Sequence, residues 1–520
     1  MRAPTERVLI NNDAVNFAVS KRPQFRPWHR QFLGTVLLLF ILLFLRRPDS
    51  LLNAQFWAED AAVYYNQQIL YHFWTLVFTP YGGYLDFIPR AIAASAWCLP
   101  TVYAPLFCNM VSLLLAAICC ALFVLPAYRY IVESDFERFV ICFLLASAIF
   151  CDEMSANITN LHWFLTVGAV LIVFRKTDPD APSGILPAIL IGIAGAAIGC
   201  TAALPVLLLP FLLWKLLRYR STERIWIGLM SAGVAVQAAT LIGQHAAEGM
   251  SASPNQIVFS TLVAYVYRVV LCMIAGLPGA IWVSQHQLSG VVLSILVLIT
   301  IWLSWLYGAG NASVRRIVLI GLYLSFSSIA MAMVARQGTV SGYSSLVGLT
   351  AWRGERHFFL SAGILILLVA ISIRVRWPEA RTSIAAVLLC AIFLAGLLGN
   401  FRMPAYTDYH WAAEAGQIDA WRKAWAAGKP VQGVLLTINP GWTIEALPSR
   451  VAAATKDSPW EGCVVGTRGN AEVYFVEGGR KHRIMDSKWL PDHGLKWPED
   501  RVLLSEADMA KIPPGDAMVQ

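Results

Sequence analysis

Charged side chains are scarce: Asp, Glu, Lys and Arg make up 14% of the 520 residues, against 57% apolar. Soluble globular domains carry about 25% charge. A mean hydropathy of +0.58, with repeated apolar runs of spanning length, excludes that class and indicates an all-α polytopic membrane protein. Metal-ligand spacing is missing as well. The 10 cysteines form no Cys-x-x-Cys or Cys/His pattern, which argues against a zinc site or a disulfide framework. Most of them, including Cys98, Cys108, Cys119, Cys120, Cys142, Cys200, Cys272 and Cys390, lie in or near apolar segments, and only Cys463 falls clearly in the C-terminal tail. No basic, aromatic-interleaved groove occurs, so the formal charge of +8 is read by position and no nucleic-acid partner is expected.

The first apolar run, 32–45, follows Lys21, Arg22, Arg26 and Arg30 and ends at Arg46 and Arg47. It is short for a span, and snorkelling arginines with continuation toward Leu52 would supply the length. A signal peptide is the competing reading. The long lead, the terminal arginines and the lack of a small-x-small site favour an uncleaved anchor with residues 1–31 in the cytoplasm. Further spans are expected at 104–125, 138–151, 161–174, 184–200, 201–217, 224–243, 289–308, 315–335, 357–374 and 381–400, about eleven helices in all.

With the N-terminus inside, the cytoplasmic links carry Arg129 and Arg138, Arg175 and Lys176, Lys215 with Arg218, Arg220 and Arg224, Arg315 and Arg316, and Arg374, Arg376 and Arg381. Each obeys the positive-inside rule. The stretch 257–274, with Tyr265, Tyr267 and Arg268, is read as a surface or re-entrant helix, because a span there would put every later basic link outside. A membrane domain of 32–400 then presents loop 47–103, the 151–161 connection, 244–288, 336–356 and everything after 400 on its outer face.

Carboxylates concentrate on that face. Glu59 and Asp60 sit among the aromatics of 55–65 in the first outer loop, where an acid within reach of a hydroxyl acts as a general base. The bland alternative is a solvated cap of a juxtamembrane helix. Past an expected helix through Tyr71–Trp74 follows Tyr81-Gly82-Gly83-Tyr84-Leu85-Asp86-Phe87-Ile88-Pro89-Arg90, in which Gly82-Gly83 permits a tight turn and Pro89 starts a helix. A second acidic group, Asp152 and Glu153, precedes Asn160-Leu161-His162-Trp163 at the mouth of the next helix. Arg90, Arg268, Arg353 and Arg356 suit bidentate capture of a phosphate, with lipid-headgroup anchoring as the alternative for each.

An acidic pair in the first outer loop, a second acidic group in the next, many spans and an outer C-terminal part resemble the GT-C superfamily of membrane glycosyltransferases. Trp57-Ala58-Glu59-Asp60, Tyr81-Gly82-Gly83-Tyr84-Leu85 with Pro89-Arg90, and Thr159-Asn160-Leu161-His162-Trp163 also resemble a group of bacterial multispan proteins. The resemblance covers about residues 30–440, with its specific motifs in the first third of the chain. It implies a hexosyl- or pentosyltransferase in a bacterial inner membrane, serving cell-envelope glycan synthesis or modification. A polyprenyl-phosphate sugar would be the donor and a glycan or lipid-linked hydroxyl the acceptor. Asp60 or Glu59 corresponds to the first-loop acid, used as base or metal ligand, and Asp152 or Glu153 to the second acidic motif. Arg353, Arg356, Arg268, Arg90, His162, Tyr84 and Asn160 would bind donor phosphate or substrate. Metal dependence differs within that superfamily, and Asp60, Asp152 and Glu153 offer hard oxygens that would suit a divalent cation, Mg or Mn. The alternative is a transporter or flippase of lipid-linked saccharides, against which stands the lack of internal repeats and of polar, broken helices at mid-membrane.

The tail predicts an amphipathic interfacial helix over 406–428 bearing Trp411, Trp421 and Trp425, and a strand over 434–442, within a linker of 401–459. A small periplasmic α+β module, 460–520, is expected to dock on the membrane part. It would hold a hairpin of 472–476 and 481–485 around Gly478-Gly479 and a helix start at Ser505. Lys481-His482-Arg483 reads as a solvated strand face, or as contacts to acidic glycan or phosphate.

Overall fold

A computed structural model describes residues 28–70, 76–147, 154–176, 184–219, 222–245, 253–286, 289–336, 355–376, 401–427, 433–446, 460–467, 472–485, 489–493, 495 and 501–518. The principal helices are α1 (Trp28–Arg46), α2 (Phe87–Trp97), α3 (Ala104–Ala121), α4 (Asp135–Ala146), α5 (Leu161–Phe174), α6 (Ile185–Gly199), α7 (Leu209–Arg218), α8 (Glu223–His245), α9 (Pro254–Ala264), α10 (Cys272–Gln285), α11 (Ser289–Ala309), α12 (Ala312–Arg336), α13 (Phe359–Arg376) and α14 (Trp411–Ala426). Among the described residues 7 segments are long and apolar enough to cross a membrane, fewer than the eleven expected. Three of the expected spans form shorter regular helices: α4 with 12 residues, α5 with 14 and α6 with 15. The run 201–217 breaks into a 3-10 turn followed by α7. The expected span 381–400 lies outside the described residues.

Backbone capping draws several connections to one end of the bundle. The last carbonyls of α5 have no partner within the helix. Tyr128 donates its hydroxyl to Leu171, Tyr130 donates to Phe174, and Lys215 Nζ donates to Val173. Arg175 pairs with Glu223 at 3.4 Å, bringing the start of α8 to the same end. Ser134 caps α4 by accepting the Glu137 amide at 3.2 Å. Arg138, fully buried, donates to the carbonyls of Val124, Val132 and Glu133 and to Asp135.

Pro254–Gln285 has the length and hydropathy of a span, where the charge of the later links favours a surface or re-entrant helix over 257–274. It is broken at Gly276, where φ is 63°. α8 rises from the basic end, and α11 runs back toward it, where Trp302 donates to Ser372 of α13 at 3.0 Å. Both ends of Pro254–Gln285 therefore face the opposite end of the bundle.

α6 and α8 pack backbone to backbone. A Cβ on Gly233 would lie 2.5 Å from the Ala196 carbonyl oxygen, and one on Gly199 would lie 2.8 Å from the Val234 nitrogen. Small residues allow this approach, which is how helices associate where lipid removes the hydrophobic drive.

At the end opposite the basic links, the first loop folds over the helix termini. Gly82 and Gly83 take positive φ, 61° and 90°, as expected for the turn. Leu85 exchanges backbone bonds with the buried Gln237 side chain of α8 at 2.9 and 3.2 Å, and Phe87 donates its amide to Cys200. Arg46 and Arg47 do not snorkel. They are buried and donate to Ala146 and Ser155 carbonyls.

α14 lies against protein: Trp411 and Trp421 are buried, Trp411 packing edge-on to Phe56 and donating to the Thr101 carbonyl. Strands β1 (Val434–Ile438) and β2 (Trp442–Ala446) form an antiparallel hairpin, and their inward residues Leu436, Ile438 and Ile444 join the main core. The final module has its own apolar clusters and a sheet ordered β5-β4-β3-β6, with β3 (Val464–Thr467), β4 (Val473–Glu477), β5 (Arg480–Arg483) and β6 (Arg501–Leu504). The hairpin turn at Gly478-Gly479 and the Ser505 cap are where the sequence put them. Lys481 donates to the Met509 carbonyl and Arg483 pairs with Glu472, so both are engaged within the module.

Replacing Gly233 with Leu should separate α6 from α8 and cost about 1–3 kcal/mol, the usual range for overpacking against backbone. Gly228→Ala, with nothing within 4 Å of the new carbon, should melt like the parent in detergent. Equal melting temperatures for Gly233→Leu and the parent would show that this close approach does not hold the pair.

Candidate functional site

Ala58, Glu59 and Asp60 form a tight bend leading into a π-helical turn, Asp60–Tyr65. Ala58 has a φ of 34°, the left-handed region that costs an L residue about 1–2 kcal/mol. Asp60 has no exposed surface. Its two oxygens accept the Ile158 amide at 2.9 Å, the Thr159 amide at 2.8 Å and the Thr159 hydroxyl. Hydrogen bonds to a carboxylate contribute about 1.5–3 kcal/mol each. The geometry makes Asp60 the residue that fastens the first loop to the mouth of α5, and leaves Glu59, half-buried, as the carboxylate of the pair that solvent reaches.

That mouth carries the next groups. His162 Nδ1 lies 2.7 Å from the Thr159 carbonyl. A carbonyl only accepts, so the ring proton sits on Nδ1 and Nε2 presents a lone pair. The His162 ring meets Tyr84 edge-on at 6.0 Å and lies 4.8 Å from Trp163, which in turn meets His357 at 5.0 Å. Arg356 is within electrostatic reach of His162. Arg268 is fully buried, with its guanidinium 5.8 Å over Phe358. Asn160 is buried, its amide bonded to the Asn157 side chain at 2.8 Å.

Arg90 does not face headgroups. It is buried, donates to Gln67 at 2.5 Å and stands 5.6 Å over Tyr64. One turn earlier lies Asp86, also without exposed surface, and neither of its oxygens receives a well-formed hydrogen bond although the Tyr64 hydroxyl faces it. Asp86, Tyr64 and Gln67 are not among the site residues that the sequence singles out. The Asp86/Arg90 spacing of four residues at a helix start was the available signal.

Burial pushes the Asp60 carboxyl up to about 7, against the pull of its three hydrogen bonds, with the Glu59 charge adding to the rise. Burial likewise pushes Asp86 up to about 8, against the Tyr64 hydroxyl and Arg90, with Glu59 again raising it.

The structure thus brings Glu59, Asp60, Tyr84, Asn160, His162 and Arg356 around the 157–162 turn, and Arg268 beside the start of α13 through Phe358. Asp152, Glu153 and Arg353 lie outside the described residues, as does the expected helix through Tyr71–Trp74. Among the described residues no group of three His, Cys, Asp or Glu side chains gathers to hold a metal ion, and Asp60 spends both oxygens on protein donors. No family model, curated protein or solved structure matches the chain.

Asp60 and Asp86 bind protons more tightly folded than unfolded. The stability they contribute is full below their ordinary value of 3.8 and is lost as pH rises through about 7 and about 8. Melting temperature should therefore fall between about pH 4 and 8 and level off above that. Asp86→Asn, which removes one titrating group without displacing a hydrogen bond, should flatten that fall, and identical slopes for the two proteins would contradict the assignment.

Proposed function

We propose that this chain is a membrane glycosyltransferase of the GT-C type that transfers a sugar from a polyprenyl-phosphate donor to an acceptor hydroxyl. The observation that supports this reading is that Asp60, bonded to Thr159, holds its solvent-reachable chain neighbour Glu59 at the turn that also orients His162, itself within electrostatic reach of Arg356. Glycosyl transfer needs a base at the attacking hydroxyl and positive charge at the departing phosphate. Glu59 supplies the first, and Arg356, with Arg268 over the nearby Phe358 ring and Arg353 close in sequence, supplies the second. Tyr84, which meets the His162 ring, and Asn160, two residues before it, are assigned to substrate contact with His162. Asp60 acts through Glu59 and through the turn, as a positioning residue. Basic links at one end support an inward basic face by the positive-inside rule. The site then opens to the periplasm of a bacterial inner membrane, with the C-terminal module outside.

A second reading, a flippase or transporter of lipid-linked saccharide, is favoured by one feature: the segment broken at Gly276 holds the buried Arg268, as discontinuous transporter helices hold polar groups.

With purified protein in nanodiscs and a polyprenyl-phosphate sugar, Glu59→Gln should lower transfer about 10²–10⁴-fold while melting like the parent. Asp60→Asn should lose both transfer and stability, because its new amide nitrogen meets N–H donors. Full transfer by Glu59→Gln would remove it as the base. Movement of labelled lipid-linked saccharide across proteoliposomes without transfer would favour the second reading. A cysteine at exposed Lys511 should react with an impermeant maleimide only from outside the cell; labelling from the cytoplasm would invert the topology.

A further inference from the structure

Residues 55–58, which lead into Glu59, are each held by the C-terminal tail. Gln55 donates to Asp408 at 3.3 Å and accepts the Tyr409 amide. Phe56 packs edge-on against Trp411 with ring centres 4.9 Å apart. Trp57 stacks on Tyr406 at 5.1 Å and forms a parallel bridge with Asn439. The Ala58 amide donates to the Asn439 carbonyl at 2.5 Å. Tyr406 is itself fixed between partners: its amide donates to Asp49, its hydroxyl to the Ser155 carbonyl, and the Arg47 guanidinium lies 4.2 Å over its ring.

Asn439 is the centre of this clasp. It is buried and spends both ends of its side-chain amide on one residue, Oδ1 accepting the Thr407 amide and Nδ2 donating to the Thr407 carbonyl, each at 2.9 Å. The backbone it holds is the strained one. Ala58 has a left-handed φ that an L residue avoids, and the bond from its amide runs to Asn439. Relaxation of Ala58 would swing the next residue, Glu59, out of its present direction. Asp60 would resist from the other side, through Ile158 and Thr159.

We propose that Asn439 is a positioning residue for Glu59, and that the tail residues Tyr406–Trp411, together with Asn439, are a working part of the catalytic site of the membrane domain. The chemistry assigned to Glu59 rests on the glycosyltransferase reading; the clasp itself does not.

Two measurements on the full-length protein in nanodiscs test it. In hydrogen exchange, Asn439→Ala should raise the rate for amides in 55–60 about tenfold or more, as expected when a buried hydrogen-bonded clasp is opened. Unchanged exchange would overturn the proposal whatever the activity. In donor-dependent transfer, Asn439→Ala should lower kcat about tenfold with donor KM unchanged, since the clasp is proposed to aim the base and not to bind donor. Adding Ala58→Gly should recover part of that loss, because glycine adopts the positive φ without the clasp. In the Glu59→Gln background Asn439→Ala should have no further effect; losses that multiply would overturn the link to Glu59. Should Asn439→Ala fail to fold, Asn439→Asp, which keeps Oδ1 and loses the Nδ2 donor, carries both arms. A parent protein inactive with every donor would sink the glycosyltransferase reading, while exchange would still decide the clasp.

Discussion

The buried Asp60 carboxylate is the interaction on which the site end of this molecule depends. A carboxyl with no exposed surface is costly unless its oxygens find donors, and here the donors are two backbone amides and a hydroxyl of the 158–159 turn. That one contact joins a loop that follows α1 to the first turn of α5. It sets where Glu59 stands relative to His162, because Thr159 binds Asp60 through its amide and His162 through its carbonyl.

Arginines divide the molecule by what their donors meet. Arg46, Arg47 and Arg138 are buried and spend donors on backbone carbonyls at helix ends and loops, where peptide groups have no helical partner. In a bilayer such groups must be satisfied within the protein. Arg356 differs from these in lying within electrostatic reach of His162. Proximity of an arginine to a span boundary therefore says little by itself about lipid or phosphate.

The tail changes how the domains relate. As a linear reading, an amphipathic helix rich in Trp belongs at a membrane interface; in the folded chain Trp411 is covered by Phe56 and Thr101. Local chemistry foretold the Gly82-Gly83 and Gly478-Gly479 turns, because positive φ is a property of single residues. It also foretold the capped start at Ser505, whose donor and acceptor lie three residues apart. Helix lengths were less legible. Continuous hydropathy over 201–217 hides a 3-10 turn at Leu204–Leu208, and the break at Gly276 falls just past the 257–274 stretch, with no interruption in hydropathy to mark it.

Composition and charge order alone determined that this is a helical membrane protein with basic links and an acidic first loop, because transfer from water and positive-inside bias act on each segment separately. Which carboxylate is reachable and which is tied down was decided only by tertiary structure. Glu59 and Asp60 are neighbours of the same chemical type, and nothing local distinguishes them; the partners that do, Ile158, Thr159 and Asn439, lie about a hundred to nearly four hundred positions away. Asp86 and Arg90 show the same limit. Their spacing was visible, but their burial depends on loop 81–88 being seated by Gln237 and Cys200, which only packing brings to it.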